Sequence, residues 1–165
     1  MIHEPAGPAW LVWLESTALA GAMRQWLWLY PAVEILHIAG IVLLAGAAAM
    51  FDLRLLGFSR TLPVSAMARH LLPWARAGLG VLAVTGALMF SAHATEFAAN
   101  PAFQLKLALI VGACLNATIF HRWPFRAVGS WDVGAAAPPA ARGAAVASLA
   151  LWAGVIACGR LLAYL

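Results

Sequence analysis

Four long apolar stretches alternate with short polar segments along this chain. They cover residues 28–50, 78–94, 103–121 and 143–163. Each is close to the length of about 20 residues with which a helix crosses the hydrocarbon of a bilayer. None shows the alternating pattern of an outer-membrane strand, and a helix satisfies its own backbone groups in lipid. The pattern therefore predicts an all-α, polytopic membrane four-helix bundle that forms a single integral membrane domain, residues 1–165.

The segment before the first stretch, residues 1–25, has a different pattern. Apolar side chains such as Trp10, Leu11 and Trp13 lie around the polar Glu15. This arrangement predicts an N-terminal amphipathic helix that lies in the membrane interface. No Lys or Arg precedes its apolar part, and Glu15 interrupts it, so we expect it to be retained and not cleaved as a signal peptide.

Composition excludes a water-soluble protein. Hydrophobic residues make up 64% of the chain and charged residues 10%, which is too little polar surface to cover a soluble domain. The lipid bilayer is therefore the first expected partner. The net charge of +4 does not require nucleic acid, because seven of the ten basic residues lie in or beside two connections, where membrane topology and anionic lipid account for them.

Those seven residues predict the orientation of the chain. The positive-inside rule places the two connections that carry them in the cytoplasm. Both termini should then face the periplasm of a bacterial inner membrane. The seven residues are Arg54, Arg60, Arg69 and Arg76 around the first connection, and Arg122, Arg126 and Arg142 around the third.

Histidines in the apolar stretches are the strongest functional signal, because an ionisable ring is costly in hydrocarbon. His37 lies 15 residues from Asp52, taken as the end of the first span, and His93 lies 17 residues from Arg76, taken as the start of the second. At helical rise these separations are about 22 and 25 Å, so the two rings could share one level. Two imidazoles on facing helices at one level are what a b-type haem requires.

The neighbours of these histidines fit the same hypothesis. Gly40 and Gly86 lie on the helical faces of His37 and His93 and would leave room for a porphyrin. Glu34 shares the face of His37 and could orient its ring or carry protons, or it could be an outer-interface residue. A metal-ion site built from the same imidazoles and Glu34 is the weaker alternative, because a closed site gathers three or four ligands.

A purely structural role is the other interpretation of these histidines. His37 would then be a packed, hydrogen-bonded residue and His93 a headgroup-level residue. If the second helix starts nearer Leu71, His93 moves outward and the two rings no longer match.

Three further residues are second-choice candidates. His70 and His121 form another histidine pair, but both are expected near the wet, arginine-rich surface, so we predict one haem and no second one. Lys106 could meet a haem propionate or a quinone, or it could extend to the outer surface.

Other features predict structural roles. Asn116, deep in the third span, should bond between helices. Asp52 and Arg54 should form an interfacial charge pair, and the Ala-, Gly- and Pro-rich segment 129–143 should be a mobile connection.

Several strings in the chain resemble one family. The strings PAVEILHIAG, FDLRLLG, HLLPWARAG, NPAFQLKLAL and LNATIFH are similar to those of a family of small bacterial four-span inner-membrane proteins without an established function. The most specific are FDLRLLG and the NPxFxxK string that holds Pro101, Phe103 and Lys106. More loosely, span histidines on four helices resemble membrane b-type cytochromes and copper-resistance D proteins, a likeness of architecture.

These observations predict a membrane protein with one haem b, ligated by His37 and His93, that exchanges electrons with quinone or a redox partner protein. If it is redox-active, it is an electron-transfer subunit. The runner-up is a cofactor-free small transporter, or an accessory or structural subunit of a membrane complex. A transport pathway would need an oligomer, because four helices enclose little space. The sequence has no nucleotide-binding glycine loop, zinc signature or nucleophile motif, which argues against a hydrolase.

Overall fold

The computed structural model describes residues 7–162 and 164, and these residues form helices joined by turns and irregular segments, with no strand among them. Residues 1–6 of the predicted interfacial helix lie outside the described part. The helices, in chain order, are α1 Ala9–Glu15, α2 Ala18–Gln25, α3 Leu29–Leu56, α4 Val64–Ala92, α5 Ala94–Ala99, α6 Pro101–Arg122, the 3₁₀ helix Pro124–Ser130 and α7 Pro139–Leu161.

Four of the described helices, α3, α4, α6 and α7, are long and apolar enough to cross a membrane. They confirm the predicted all-α architecture and indicate a multi-pass membrane protein. The main difference from the prediction is in the second span. The prolines at 63 and 73 predict a separate short helix before a span that starts near residue 78, whereas α4 is one continuous helix from Val64 to Ala92. It continues through Pro73, a residue that costs one backbone hydrogen bond but is tolerated in membrane helices. α3 likewise continues past Asp52 to Leu56.

The four long helices pack in a chain of neighbours. α4 packs against α3, α3 against α7, and α7 against α6. No Cα atom of α4 lies within 8 Å of one in α6. These two helices therefore form the sides of a groove whose floor is α3 and α7.

Glycines allow α3 and α4 to touch through their backbones. A Cβ atom on Gly78 would lie 2.8 Å from the backbone N of Leu44 and 2.9 Å from the carbonyl O of Gly40. Side chains larger than hydrogen would separate the helices at this level. The two helices are therefore in direct contact there.

We call the end of the bundle that holds residues 57–63 and 123–138 the arginine-rich end. Arg54, only 1% exposed, joins its two segments. Its guanidinium donates to the carbonyls of Leu62 at 2.7 Å, Arg60 at 3.2 Å and Asp132 at 3.0 Å. The predicted charge pair between Asp52 and Arg54 is therefore wrong, because residues two apart on a helix point to different sides.

The first part of segment 129–143, which is predicted to be a mobile connection, is bonded to the start of α4. The Asp132 carboxylate accepts hydrogen bonds from the backbone N–H and the hydroxyl of Ser65, at 2.7 and 2.8 Å. These bonds lower the pKa of Asp132 below its usual value. The carbonyl of Asp132 also accepts from Val64 N–H, and the adjacent Trp131 is buried in an apolar cluster. The third connection thus caps the start of α4.

We call the opposite end, with residues 7–28 and 93–100, the terminal end. Here Arg24 donates to the carbonyls of Ala92, at 2.9 Å, and Glu15, at 2.7 Å. The Glu15 carboxylate accepts from the N–H and hydroxyl of Thr95 at 2.7 and 2.8 Å. Burial raises the pKa of Glu15, but these bonds and the nearby Arg24 charge outweigh burial, so the pKa is lowered overall. Helices α1 and α2 are thereby tied to the junction of α4 and α5.

Candidate functional site

His37 faces α4, where its ring has a defined hydrogen-bond partner. Its Nδ1 lies 2.8 Å from the hydroxyl of Thr85, which itself donates to the carbonyl of Val81 at 2.7 Å. Because a hydroxyl has one proton, Thr85 accepts from the Nδ1–H of His37. This tautomer leaves Nε2 with a free lone pair. A Cβ atom on Gly86 would lie 3.4 Å from the His37 ring, so Gly86 makes room for the imidazole itself.

His93 lies farther toward the terminal end. It ends α4 and packs edge-on against Tyr30, with ring centroids 6.5 Å apart. Tyr30 precedes His37 by seven residues, about 10 Å along α3, and Thr85 precedes His93 by eight, about 12 Å along α4. The rings of His37 and His93 are therefore about two helical turns apart in level.

The predicted haem ligand pair does not fit this geometry. A six-coordinate iron needs both imidazoles at one level with a slot for the porphyrin between their helices, whereas α3 and α4 touch through their backbones near Gly40 and Gly78. Gly40 accommodates the neighbouring helix and the side chain of Leu82. The two rings differ in level because α4 starts early, at Val64, which moves His93 outward relative to His37. This is the arrangement that the structural interpretation of the two histidines predicts.

The remaining sequence candidates are dispersed. Glu34 is exposed and makes no hydrogen bond to His37. Lys106 approaches the last turns of α7, with Nζ 3.5 Å from where a Cβ atom on Gly159 would lie. His70 is exposed beside Met50 in a shallow depression. No group of three or more His, Cys, Asp or Glu residues in the described part of the chain could hold a metal ion.

Among the three second-choice candidates, His121 lines a cavity in the groove. It is half-buried on α6 and packs against Phe120 and Phe125, with ring centroids 5.1 and 5.3 Å away. His70 lies on another face of α4 from Leu72, which does line the groove, because two residues turn a helix by about 200°. The structure therefore does not bring His70 and His121 together.

The groove holds a cavity of about 200 Å³ at its arginine-rich half. Its walls are mostly alanine, leucine and aromatic side chains, and all four long helices contribute to them. The polar residues in the lining are Asp52 of α3, Arg76 of α4, Asn116 and His121 of α6, and Ser148 of α7.

Asp52 is the polar residue that sequence reasoning missed as a site. It is only 6% exposed, and its Oδ2 atom is buried without a hydrogen-bond partner. It forms no ion pair among the described residues. The spacing along α3 could have indicated it. Asp52 follows His37 by 15 residues, which is four turns and about 60°, so these two residues lie near one face of the helix and Arg54 lies on another.

Asn116 holds a fixed orientation beside the cavity. Its amide Nδ2 donates to the carbonyl of Ala144 in α7 at 2.9 Å, which confirms the predicted bond between helices. The bond leaves the Oδ1 atom of Asn116 as an acceptor. The cavity thus offers acceptors at Asp52 and Asn116, and donors at Arg76.

Aromatic residues close the groove toward both ends. Toward the terminal end, Phe90 of α4 stacks on Phe103 of α6 with ring centroids 5.4 Å apart. Toward the arginine-rich end, Phe120 packs against Phe51 at 5.8 Å and against Phe125 at 5.7 Å. The open side of the cavity is therefore the gap between α4 and α6, which faces the lipid of a bilayer.

Comparison with known proteins identifies the family alone. The model of a family of unknown function, DUF6644, matches residues 10–165. This match covers nearly all of the chain, so the chain belongs to that family. No curated protein and no solved structure matches it. The expected membership of a family without established function is confirmed, whereas the similarity to b-type cytochromes and copper-resistance D proteins stays a prediction.

Proposed function

We propose that this member of DUF6644 is a small membrane transporter, or the ligand-binding subunit of one, and that its ligand binds in the groove between α4 and α6. The observation that carries the proposal is the unpaired, buried Oδ2 of Asp52. An unsatisfied buried polar group costs on the order of 1–3 kcal/mol, and more when it is charged. Such a cost is typical of a group kept for binding.

The shape of the groove supports a ligand that comes from the bilayer. Both ends are closed by aromatic side chains and the open side faces lipid. A water molecule occupies about 30 Å³ in the liquid, so a cavity of about 200 Å³ has room for one small organic group. The ligand would have an apolar body and a hydrogen-bond donor for Asp52.

A matched pair of substitutions on α6 tests this function. Ala117 lines the cavity, whereas Ala108 is exposed away from it. Ala117→Trp should fill the cavity and Ala108→Trp should leave it open. Native mass spectrometry of the purified proteins should detect a small molecule with the wild type and Ala108→Trp that is lost from Ala117→Trp and from Asp52→Asn. The same bound molecules in all four proteins would refute the proposal.

The proposal includes an orientation. The arginine-rich end would face the cytoplasm and the terminal end the periplasm of a bacterial inner membrane, with α1 and α2 in the outer interface. A cysteine at Ala98 should then react with an impermeant thiol reagent added outside the cell, and a cysteine at Ser130 should not. The reverse pattern would invert the orientation.

Haem-dependent electron transfer, with quinone or a redox protein as partner, is the second candidate. The hydrogen bond from His37 Nδ1–H to Thr85 favours it, because ligating histidines commonly donate through the other ring nitrogen. A haem there would need a second ligand other than His93. Protein from haem-replete cells should show a Soret band that His37→Ala abolishes and His93→Ala leaves intact. A colourless preparation would eliminate this candidate.

A further inference from the structure

Asp52 is a carboxyl group in an apolar cavity without a cation beside it. A charged carboxylate in such a site loses its hydration and gains no ion pair in return. A protonated carboxyl is neutral and acts as both donor and acceptor. Two polar side chains of the same cavity, Asn116 and Ser148, could accept or donate toward it.

The other titratable groups that line the cavity do not neutralise Asp52. They are Arg76 on α4 and Cys114 and His121 on α6, and α7 contributes only uncharged side chains such as Ser148. None of them forms an ion pair with Asp52. Arg76 is exposed, so its charge is less confined to the cavity than that of the buried Asp52.

We infer that Asp52 is a proton-binding site: its carboxyl holds a proton while the groove is empty, and a cationic ligand that donates to Oδ2 competes with that proton. The proton comes from water and returns to water when a cationic ligand replaces it, so charge is conserved in the exchange. The competition rests on the proposed function, whereas the proton site itself does not.

Dicyclohexylcarbodiimide tests the proton site directly. This apolar reagent enters from lipid and reacts with a protonated carboxyl. The carboxyl O–H adds across one C=N bond, so that the proton moves to nitrogen, the oxygen bonds to carbon, and no atom leaves. Peptide mass mapping should find the reagent on Asp52 and not on the acidic residues that the structure describes outside the cavity, Glu15, Glu34, Glu96 and Asp132.

The labelling rate of Asp52 should fall as the pH rises. On the alkaline side of the titration, the protonated fraction falls about tenfold for each pH unit, and the labelling rate of Asp52 should fall with it. Ala117→Trp should slow labelling and Ala108→Trp should not. Asp52→Asn should not be labelled at this position. If that variant is unstable, Asp52→Glu serves instead, because it keeps a carboxyl group and should still be labelled.

Several outcomes would overturn the inference. An unlabelled Asp52 in folded protein, or a rate independent of pH, would exclude the proton site. Protection by sodium chloride but not by choline chloride would assign the site to a metal cation. Labelling of Asp52 with the expected pH dependence, together with identical bound molecules in Ala117→Trp and Ala108→Trp, would keep the proton site and refute the ligand proposed above.

Discussion

Gly78→Ala tests the close contact between α3 and α4, which lies on the arginine-rich side of His37. The added Cβ would lie 2.8 Å from the backbone N of Leu44, whereas ordinary contacts begin at 3.4 Å. The helices would have to move apart by about 0.6 Å, the difference of these distances. Overpacking of this kind costs about 1–3 kcal/mol, and replacing a helical glycine with alanine returns about 0.5–1 kcal/mol. We expect a net loss of about 0–2.5 kcal/mol in the free energy of unfolding.

Gly80→Ala, in the same helix, is the matched control. Nothing lies within 4 Å of a Cβ atom at Gly80, so only the gain in helix propensity remains, about 0.5–1 kcal/mol. Reversible unfolding in mixed micelles, with the fraction of sodium dodecyl sulfate as the denaturing variable, measures both variants. If Gly78→Ala proves as stable as Gly80→Ala, the helices do not touch there and the argument against a porphyrin slot between them fails.

Two further predictions concern the ends of the bundle. Arg54→Met removes three hydrogen bonds from a charged donor, although the carbonyls of Arg60 and Asp132 keep backbone donors. It should lower stability by about 3 kcal/mol or more, measured as faster trypsin cleavage in segment 57–63. Unchanged cleavage would show that Arg54 does not hold the two connections together. Because the pKa of Glu15 in the folded protein lies below its ordinary value of 4.5, its carboxylate stabilises the fold above that pH. This stabilisation is lost as the pH falls through the folded pKa. Glu15→Gln should therefore unfold more easily than the wild type at neutral pH but not in acid, measured as the thermal midpoint against pH, and a constant difference would refute the role of the charge.

Local sequence was sufficient for the four long helices and for some of their contacts. Hydropathy and length are properties of each segment alone, so the spans were predictable without a partner. The bond of Asn116 to α7 was predictable too, because an amide in hydrocarbon needs a partner and only another helix can supply one.

The continuity of α4 could not be predicted in this way. Pro63 and Pro73 indicate a separate short helix between them, whereas α4 continues through Pro73. Asp132 bonds to the first turn of α4 from 67 residues away, and this long-range cap stabilises the start of the long helix. In the continuous helix His93 lies about two turns beyond His37, so the two rings do not share the level that the sequence predicted.

The sequence by itself determined that the protein has four helices able to cross a membrane. The reason is that a long apolar segment in lipid satisfies its own backbone hydrogen bonds as a helix. The tertiary structure alone decided which polar residues meet. Asp52, Asn116 and Ser148 come from three helices, and their convergence depends on which faces α3, α6 and α7 turn toward one another. Backbone contacts at glycines and contacts between aromatic side chains set those faces. These contacts exist only once the helices have assembled.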